Sequence, residues 1–498
     1  MRDIWEGENE ADGDGDDDFI ADLEFELEAD LYGVDFALEF EKELERDLSS
    51  EALLSSEVLN RRLDFDDEQK EEGGEAEKPP KRRRGKCVEG YSFGNLFSSS
   101  WYLKFLSPDR DGVEGTRNRT RRQSGMGRQS LFRALFRLPL DKVERLASLM
   151  MERQIIHPTR RMKSPLAVQA KAELHVMGAL CVLAHGLPFQ VISSNTNISK
   201  EQHRIFFHQF IDYFFDHHTD YISLPRDADE LRVGSRKYRE VGLPGCMGSK
   251  DVVHVKWACA PQGDFNRCKG KQSYPSIAFQ CVTNFERKIL GVSRAQYGTR
   301  NDKAIVKRDH NVHAVRTSWY STVEWEYFSL HGEVRTDRGY YLICDNGYLR
   351  WPTSIAPYSH ADKTSMEGYF STNLESVRKD VECVFGIIKK RFKVLDYGFK
   401  FRSMAICEKI FYTCCCLHNE MLDMMESSTN QYRVLRGLAN QTEGMWLGDG
   451  CDGDELQYDM EADEGVIGMH KKTLAIQWSN RRRRLAEHLY YSRRQSLN

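Results

Sequence analysis

CMGSKDVVHVKWA, residues 246–258, is the stretch whose reading decides the fold. It is rich in β-branched and aromatic residues, which fit the pleated, half-buried surface of a strand. An acid, Asp251, stands in its middle, and an unpaired carboxylate is expensive to bury in an apolar strand unless a cation compensates it. Two segments of the same character follow, YPSIAFQCVTN (274–284) and KILGVSRAQYG (288–298), bounded by Gly, Pro and Asn and joined by turns such as residues 284–288. Three successive strands are therefore predicted. A long polar segment with Trp319, Trp325 and Arg335 precedes a fourth strand, YYLICDNGYL (340–349), which carries Asp345.

Residues 369–392 then read as a helix with Phe370, Leu374, Val377, Val381, Val384, Phe385, Ile388 and Phe392 on its apolar side, and Glu382 lies on it. A second buried helix is predicted over about 403–425. Strands followed by a helix bearing a further acid make an α/β arrangement of the ribonuclease H-like type.

Upstream, from about 128 to 225, the pattern is helical. Ser164 and Pro165 suit the start of one helix and Gly186 its end. A short helical turn at 189–193 follows, and 197–199 cap a longer helix with Ile205, Phe206, Gln209 and Phe210 in its periodic run. This is helix-turn-helix grammar, open either to DNA contact or to plain helical packing.

The formal charge of −5 conceals an asymmetry. Residues 1–77 hold 30 Asp and Glu against six Lys and Arg, a net of −24, which leaves +19 on the rest. Such an acidic tail cannot bury enough surface to order itself, although Leu23, Leu27, Leu31, Val34 and Leu38 recur at helical spacing as in a partner-docking segment. The basic body favours polyanions, so nucleic acid is the leading partner class. KPPKRRRGK, residues 78–86, with Lys81, Arg82, Arg83 and Arg84, reads as a nuclear import signal or as a solvated basic linker.

A second acidic stretch, Glu443 to Glu464, precedes a short helix-like end bearing Arg481, Arg482, Arg483 and Arg484, either an import or phosphate-binding element or a solvated terminus. No stretch approaches the roughly 20 apolar residues of a membrane span, and the N-terminus is unlike a signal peptide, so no membrane association is expected. Thirteen Cys, with Cys414, Cys415 and Cys416 in an apolar run, suit buried thiols of a reducing compartment; structural zinc is the alternative, without the paired spacing it favours. The expected domains are an acidic disordered tail (1–77), a basic linker (78–127), a helical domain (128–235), a catalytic core (236–428) and an acidic then basic tail (429–498).

From about 130 to 425 the chain resembles the PIF/Harbinger superfamily of DDE transposases and the nucleases derived from them, in the plant transposon protein branch. The resemblance rests on GSKDVVH around Asp251, KGKQSYPSIAFQCV at 269–282, GTRND ending at Asp302, CDNGYL around Asp345, VRKDVECVFGIIKKRFKVL around Glu382, and CCCLHNEM at 414–421. It implies a catalytic triad of Asp251, Asp345 and Glu382, a further metal-binding acid at Asp302, and the family's histidine at His254. It also implies Mg2+ or Mn2+ as cofactor, transposon ends and target DNA as substrates, a Myb-like DNA-binding partner, a homo-oligomer and a nuclear location.

The chemistry agrees. Two Mg2+ roughly 4 Å apart can activate an oxygen nucleophile and neutralise charge on a phosphodiester, and carboxylates are the hard ligands Mg2+ prefers. Arg378, Lys389, Lys390 and Arg391 surround Glu382 and can hold DNA phosphates. Taken singly, each acid has an ordinary reading: Asp345 as the start of an Asp-Asn-Gly turn, Glu382 as a surface residue paired with Arg378, and His254 as a packing residue. The segment at 309–339 is long and charged where relatives can be compact. Two readings follow, a metal-dependent DNA nuclease or transposase, and a domesticated, non-catalytic nuclear DNA-binding or regulatory protein.

Overall fold

The computed structural model describes residues 95–107, 128–156, 164–270, 273–435 and 464–496. The acidic N-terminal tail, the import-type run with Lys81, Arg82, Arg83 and Arg84, and the acidic stretch 443–463 lie outside the described residues. The chain divides into two compact units, Met1–Leu180 with Gln190–Lys200, and Cys181–Phe189 with Glu201–Asn498.

In the first unit, helices α1 (Arg128–Phe136) and α2 (Leu140–Glu152) follow two single helical turns at Leu96–Ser98 and Tyr102–Leu106. Trp101, Phe105, Phe132 and Phe136 are buried together, their rings 4.6 to 5.7 Å apart and mostly edge to face, the arrangement the ring quadrupole favours. Helix α3 (Pro165–His185) begins at the proline and is closed by Gly186, whose φ of +67° suits a residue without Cβ. This helix corrects the sequence reading of membrane spans: by length and composition it can cross a membrane, and most of it is buried in the protein. A helix covered on all sides needs apolar residues on every face, so it meets the same test.

Helix α4 (Phe189–Thr196) and a turn at Asn197, where φ is +55°, precede α5 (Lys200–Asp216). The Thr196 hydroxyl accepts from the Ile198 amide at 3.3 Å and fixes that turn. On α5 the buried stripe is Phe206, Phe207, Phe210, Ile211 and Phe214; Ile205, placed in the stripe by sequence, is exposed.

The second unit is α/β. Asp227 caps α6 (Ala228–Glu240) by accepting from the amides of Asp229 and Glu230. A mixed sheet follows, built from β1 (Cys246–Lys256), β2 (Ser276–Thr283), β3 (Ile289–Val292), β4 (Gln296–Tyr297), β7 (Tyr341–Ile343) and β8 (Ser354–Ile355). Its order is β3-β2-β1-β7-β8, with β4 also pairing with β2. Strand β2 runs antiparallel to both β3 and β1, while β1, β7 and β8 are parallel. Strand β2 is buried along its whole length, as its near-continuous apolar run requires.

The segment read as polar between the third and fourth predicted strands is structured. It holds short helices α8 (Asp302–Val306) and α9 (His310–Thr317) and a hairpin of β5 (Glu324–Phe328) and β6 (Val334–Arg338); α7 (Gln262–Cys268) lies earlier, between β1 and β2. On β5, Trp325 and Tyr327 point inward and Glu324 and Glu326 outward, a period of two.

Long helix α10 (Met366–Arg391) is capped by Ser365, packs on β1 and β2, and leads through α11 (Lys393–Asp396) to α12 (Met404–Leu435). Its expected apolar side is buried except Phe385, which sits at the edge of the stripe. In α12, Cys414, Cys415 and Cys416 are buried free thiols, and Asn419 brackets β3 by accepting from the Ile289 amide (2.9 Å) and donating to its carbonyl (2.7 Å). CCCLHNEM thus anchors an edge strand.

Helix α13 (Glu464–Ser496) packs against α10, β5 and β8, with Trp478, Leu485, Ala486 and Leu489 buried. The run Arg481–Arg484 is therefore no solvated end. Arg481 and Arg484 both pair with Asp337, and Arg481 also donates to the carbonyls of Pro352 and Arg338.

Candidate active site

Register places the first two acids. On the parallel pair β1 and β7, Ser249 is opposite Ile343, the last pair of the ladder. Two residues beyond each lie Asp251, still on β1, and Asp345, in the loop that leaves β7, so both segments carry a carboxylate past the same end of the ladder. Asp251 accepts from the Val252 amide at 2.8 Å, and Asp345 accepts from the Gly347 amide at 2.8 Å in the turn chemistry that Asp-Asn-Gly favours.

Asp302 joins from α8, where Asn301 caps the helix by accepting from the Ala304 amide at 2.9 Å. Gly347 faces both Asp302 and Asp345. A Cβ added there would lie 2.9 Å from Asp302 Oδ2 and 3.0 Å from Asp345 Oδ1, so the missing side chain leaves a cradle between two carboxylates.

Glu382 arrives on α10, one turn beyond Arg378. A single guanidinium nitrogen of Arg378 lies 2.9 Å from Glu382 Oε1 and 3.4 Å from Asp251 Oδ2. The ordinary reading of Glu382, a pair with Arg378, is thus present, and the same arginine ties that pair to β1. Glu382 remains about half exposed, whereas Arg378 and Asp251 are 16% and 20% exposed.

Burial drives the Asp251 carboxyl up to about 6, from an ordinary 3.8. The Val252 amide and Arg378 oppose the shift, and the negative charges of Asp345 and Glu382 add to it. The cluster is therefore short of positive charge with Arg378 as its neighbour.

All four predicted ligands offer hard carboxylate oxygens, and the Gly347 cradle separates two of them, so the donor chemistry fits a divalent cation. The side chains do not close around one as they stand: among the described residues no group of three or more His, Cys, Asp or Glu is arranged to hold a metal ion. Arg378 stands between Asp251 and Glu382 where a cation would share them.

The remaining predicted residues lie close by. His254 Nδ1 is 3.1 Å from Ser276 Oγ, a packing role. Lys389 donates to the His254 carbonyl at 3.2 Å, Arg391 meets His418 at 2.9 Å, and Lys390 is exposed. Of the four cations expected to hold DNA, Lys390 is the exposed one; Lys389 and Arg391 are half-buried, and Arg378 is engaged with the acids.

Sequence reasoning missed Lys250. Its side chain is fully buried on the face of β1 opposite Asp251, donates to Ser354 Oγ at 2.6 Å and lies 4.7 Å from the centre of the Tyr348 ring. Burial lowers its pKa, while Asp345 and Asp309 act to raise it. A lysine directly preceding Asp251 in a strand read as half-buried was the available signal.

Residues 220–429, which include all four acids and CCCLHNEM, match the family model of plant transposon proteins. Protein ALP1-like from Arabidopsis thaliana is 22% identical over 258 residues, an alignment covering 50% of this chain and 60% of that relative. The chain thus spans three-fifths of the length of the curated relative it matches. No solved structure gives a significant match. The two matches support a Harbinger-type, transposase-derived family.

Proposed function

We propose that this Harbinger-type protein is a divalent-metal-dependent DNA endonuclease or transposase working through Asp251, Asp345 and Glu382, with Asp302 beside them. The observation that carries the reading is the register: two parallel strands remote in sequence lead to Asp251 and Asp345 past the same end of their ladder, and α10 brings Glu382 to the guanidinium that meets Asp251. The sheet order β3-β2-β1-β7-β8, antiparallel on one side of β1 and parallel on the other, supports a ribonuclease H-like core.

When bound, Mg2+ or Mn2+ supplies the Lewis acidity and the activated water or 3′-hydroxyl that phosphodiester cleavage needs. Asp251, Asp345 and Glu382 would hold it, with Asp302 reaching the same space across Gly347. Arg378, against both Asp251 and Glu382, limits repulsion among the acids. Lys390, exposed at the end of α10, is available to a DNA phosphate.

The finer assignments belong to the same reading. Helices α4 and α5 form the helix-turn-helix candidate, a Myb-like protein is the expected DNA-binding partner, the protein acts as a homo-oligomer, and residues 81–84 direct it to the nucleus. A non-catalytic DNA-binding or regulatory protein is the second reading. It is favoured by one observation, the Arg378 guanidinium lying between two of the three acids.

Supercoiled DNA carrying the flanking repeats of the encoding element tests the proposal. Mg2+-dependent nicking by the wild-type chain, abolished in Asp251→Asn with salt-sensitive DNA binding retained, is expected. Equal nicking by Asp251→Asn, or none by the wild-type chain with its Myb-like partner, would refute it.

A further inference from the structure

A cavity of about 360 Å3 opens beside Asp345, between the loop after β7 and helix α13. Its volume is at the low end for a ligand site and suits one planar ring system rather than a duplex. Planar groups line it: the Arg482 guanidinium is held between two rings, 3.7 Å from the centre of Tyr358 and 4.0 Å from that of Trp478, and exposed Arg350 is 5.4 Å from Trp478.

These groups are held in place before any ligand arrives. Trp478 donates to the Ser354 carbonyl at 2.8 Å and Arg482 to the Pro357 carbonyl at 3.1 Å. Arg482 Nε is buried without an acceptor among the described residues, which leaves the guanidinium one hydrogen bond short. Asn346 adds an amide to the lining, and an amide offers a donor and an acceptor side by side, the pattern that reads a base edge.

We propose that this cavity receives a single unstacked base of a DNA strand and so registers that strand against the acids. Arginine planes and aromatic rings are surfaces on which unpaired bases stack. With Arg482 already held between Tyr358 and Trp478, exposed Arg350 offers the plane at the cavity mouth, and Asp345, which also lines the cavity, disfavours a phosphate there. The ligand class rests on the DNA-cleaving reading, but the pocket stands on its own geometry. Helix α13 supplies Trp478 and Arg482, which gives the C-terminal segment a part in substrate positioning.

The test is binding of fluorescein-labelled single-stranded oligonucleotides to the full chain in EDTA, with a single abasic site moved along the strand. At one position the abasic site should weaken wild-type binding by about fivefold or more, the scale of one base-aromatic contact. In Arg482→Gln, and independently in the exposed-site variant Arg350→Gln, that dependence should shrink or vanish, with the thermal transition reporting that each variant is folded.

Wild-type affinity indifferent to every abasic position would overturn the proposal, as would equal sensitivity in both variants. Displacement of the probe by free deoxynucleoside monophosphates, with no abasic effect, would assign the cavity to a free nucleotide and also overturn it. No cleavage is needed, so the two proposals fail separately. Nicking without base dependence removes only the pocket, and base dependence without nicking removes only the nuclease.

Discussion

Asp251 and Asp345 each lie two residues beyond Ser249 and Ile343, the last paired positions of two parallel strands, and so both follow the same end of that ladder. Asp251 is mostly buried, and burial above all raises its pKa to about 6, with the charges of Asp345 and Glu382 adding to the shift and Arg378 opposing it.

That rise fixes a pH dependence. A carboxyl whose folded pKa exceeds its unfolded value gives stability at low pH that is lost as pH climbs from 3.8 to about 6. In EDTA, ionised Asp251 should cost the fold on the order of 2–3 kcal/mol above pH 6, at about 1.4 kcal/mol per unit. Asp251→Asn should therefore melt above the wild type at pH 7.5, and the gap should narrow towards pH 4.5. Thermal melts of both proteins at the two pH values check this; an Asn variant less stable at pH 7.5 would contradict it. Mg2+ should close the gap at pH 7.5 by stabilising the wild type alone.

Arg378 supplies the second prediction. It lies against Asp251 and Glu382, and its removal leaves a mostly buried acid without that neighbour. Arg378→Gln should cost about 1–2 kcal/mol in EDTA at pH 7.5, below the range for fully buried pairs because Glu382 is solvated. Added Mn2+ should restore more stability to this variant than to the wild type, because the cation no longer competes with a guanidinium. Melts with and without Mn2+ decide the matter, and an equal Mn2+ effect in the two proteins would remove Arg378 from the site.

The arginine run on α13 separates buried from exposed charge within three residues. Arg481→Ala should destabilise by about 2–4 kcal/mol, since the mostly buried Asp337 would keep Arg484 as its paired side chain and the Arg338 amide as a donor but lose its buried cation. Arg483, 73% exposed and paired with Glu487, should tolerate alanine within about 0.5 kcal/mol. Urea unfolding of the two variants reads the difference.

Much of the core was legible because period and punctuation agreed. The strands around Asp251, Phe279 and Ile289 and the helix bearing Glu382 carry strong apolar patterns between Gly, Pro and Asn. The hairpin Glu324–Phe328 with Val334–Arg338 was hidden because its second strand is almost wholly exposed and reads as charged loop. The helical character of the C-terminal end was legible, but the packing of α13 was hidden for the opposite reason: its arginines look solvated, yet Arg481 is buried by a partner, Asp337, that no local pattern reveals.

At the site, the residue types were legible and the pairings were not. Asp251, Asp302, Asp345 and Glu382 could be singled out from their settings, but a shared guanidinium depends on α10 crossing β1, which no spacing encodes. Lys250 escaped because burial of a charged group is a property of the whole fold.

The central claim is that these acids share a cation, and isothermal titration of Mn2+ into metal-free protein at pH 7.5 tests it most directly. Wild-type chain should bind, and Asp251→Asn, Asp345→Asn and Glu382→Gln should each lose about tenfold or more in affinity while remaining folded. Mn2+ affinity unchanged in all three variants would contradict the account.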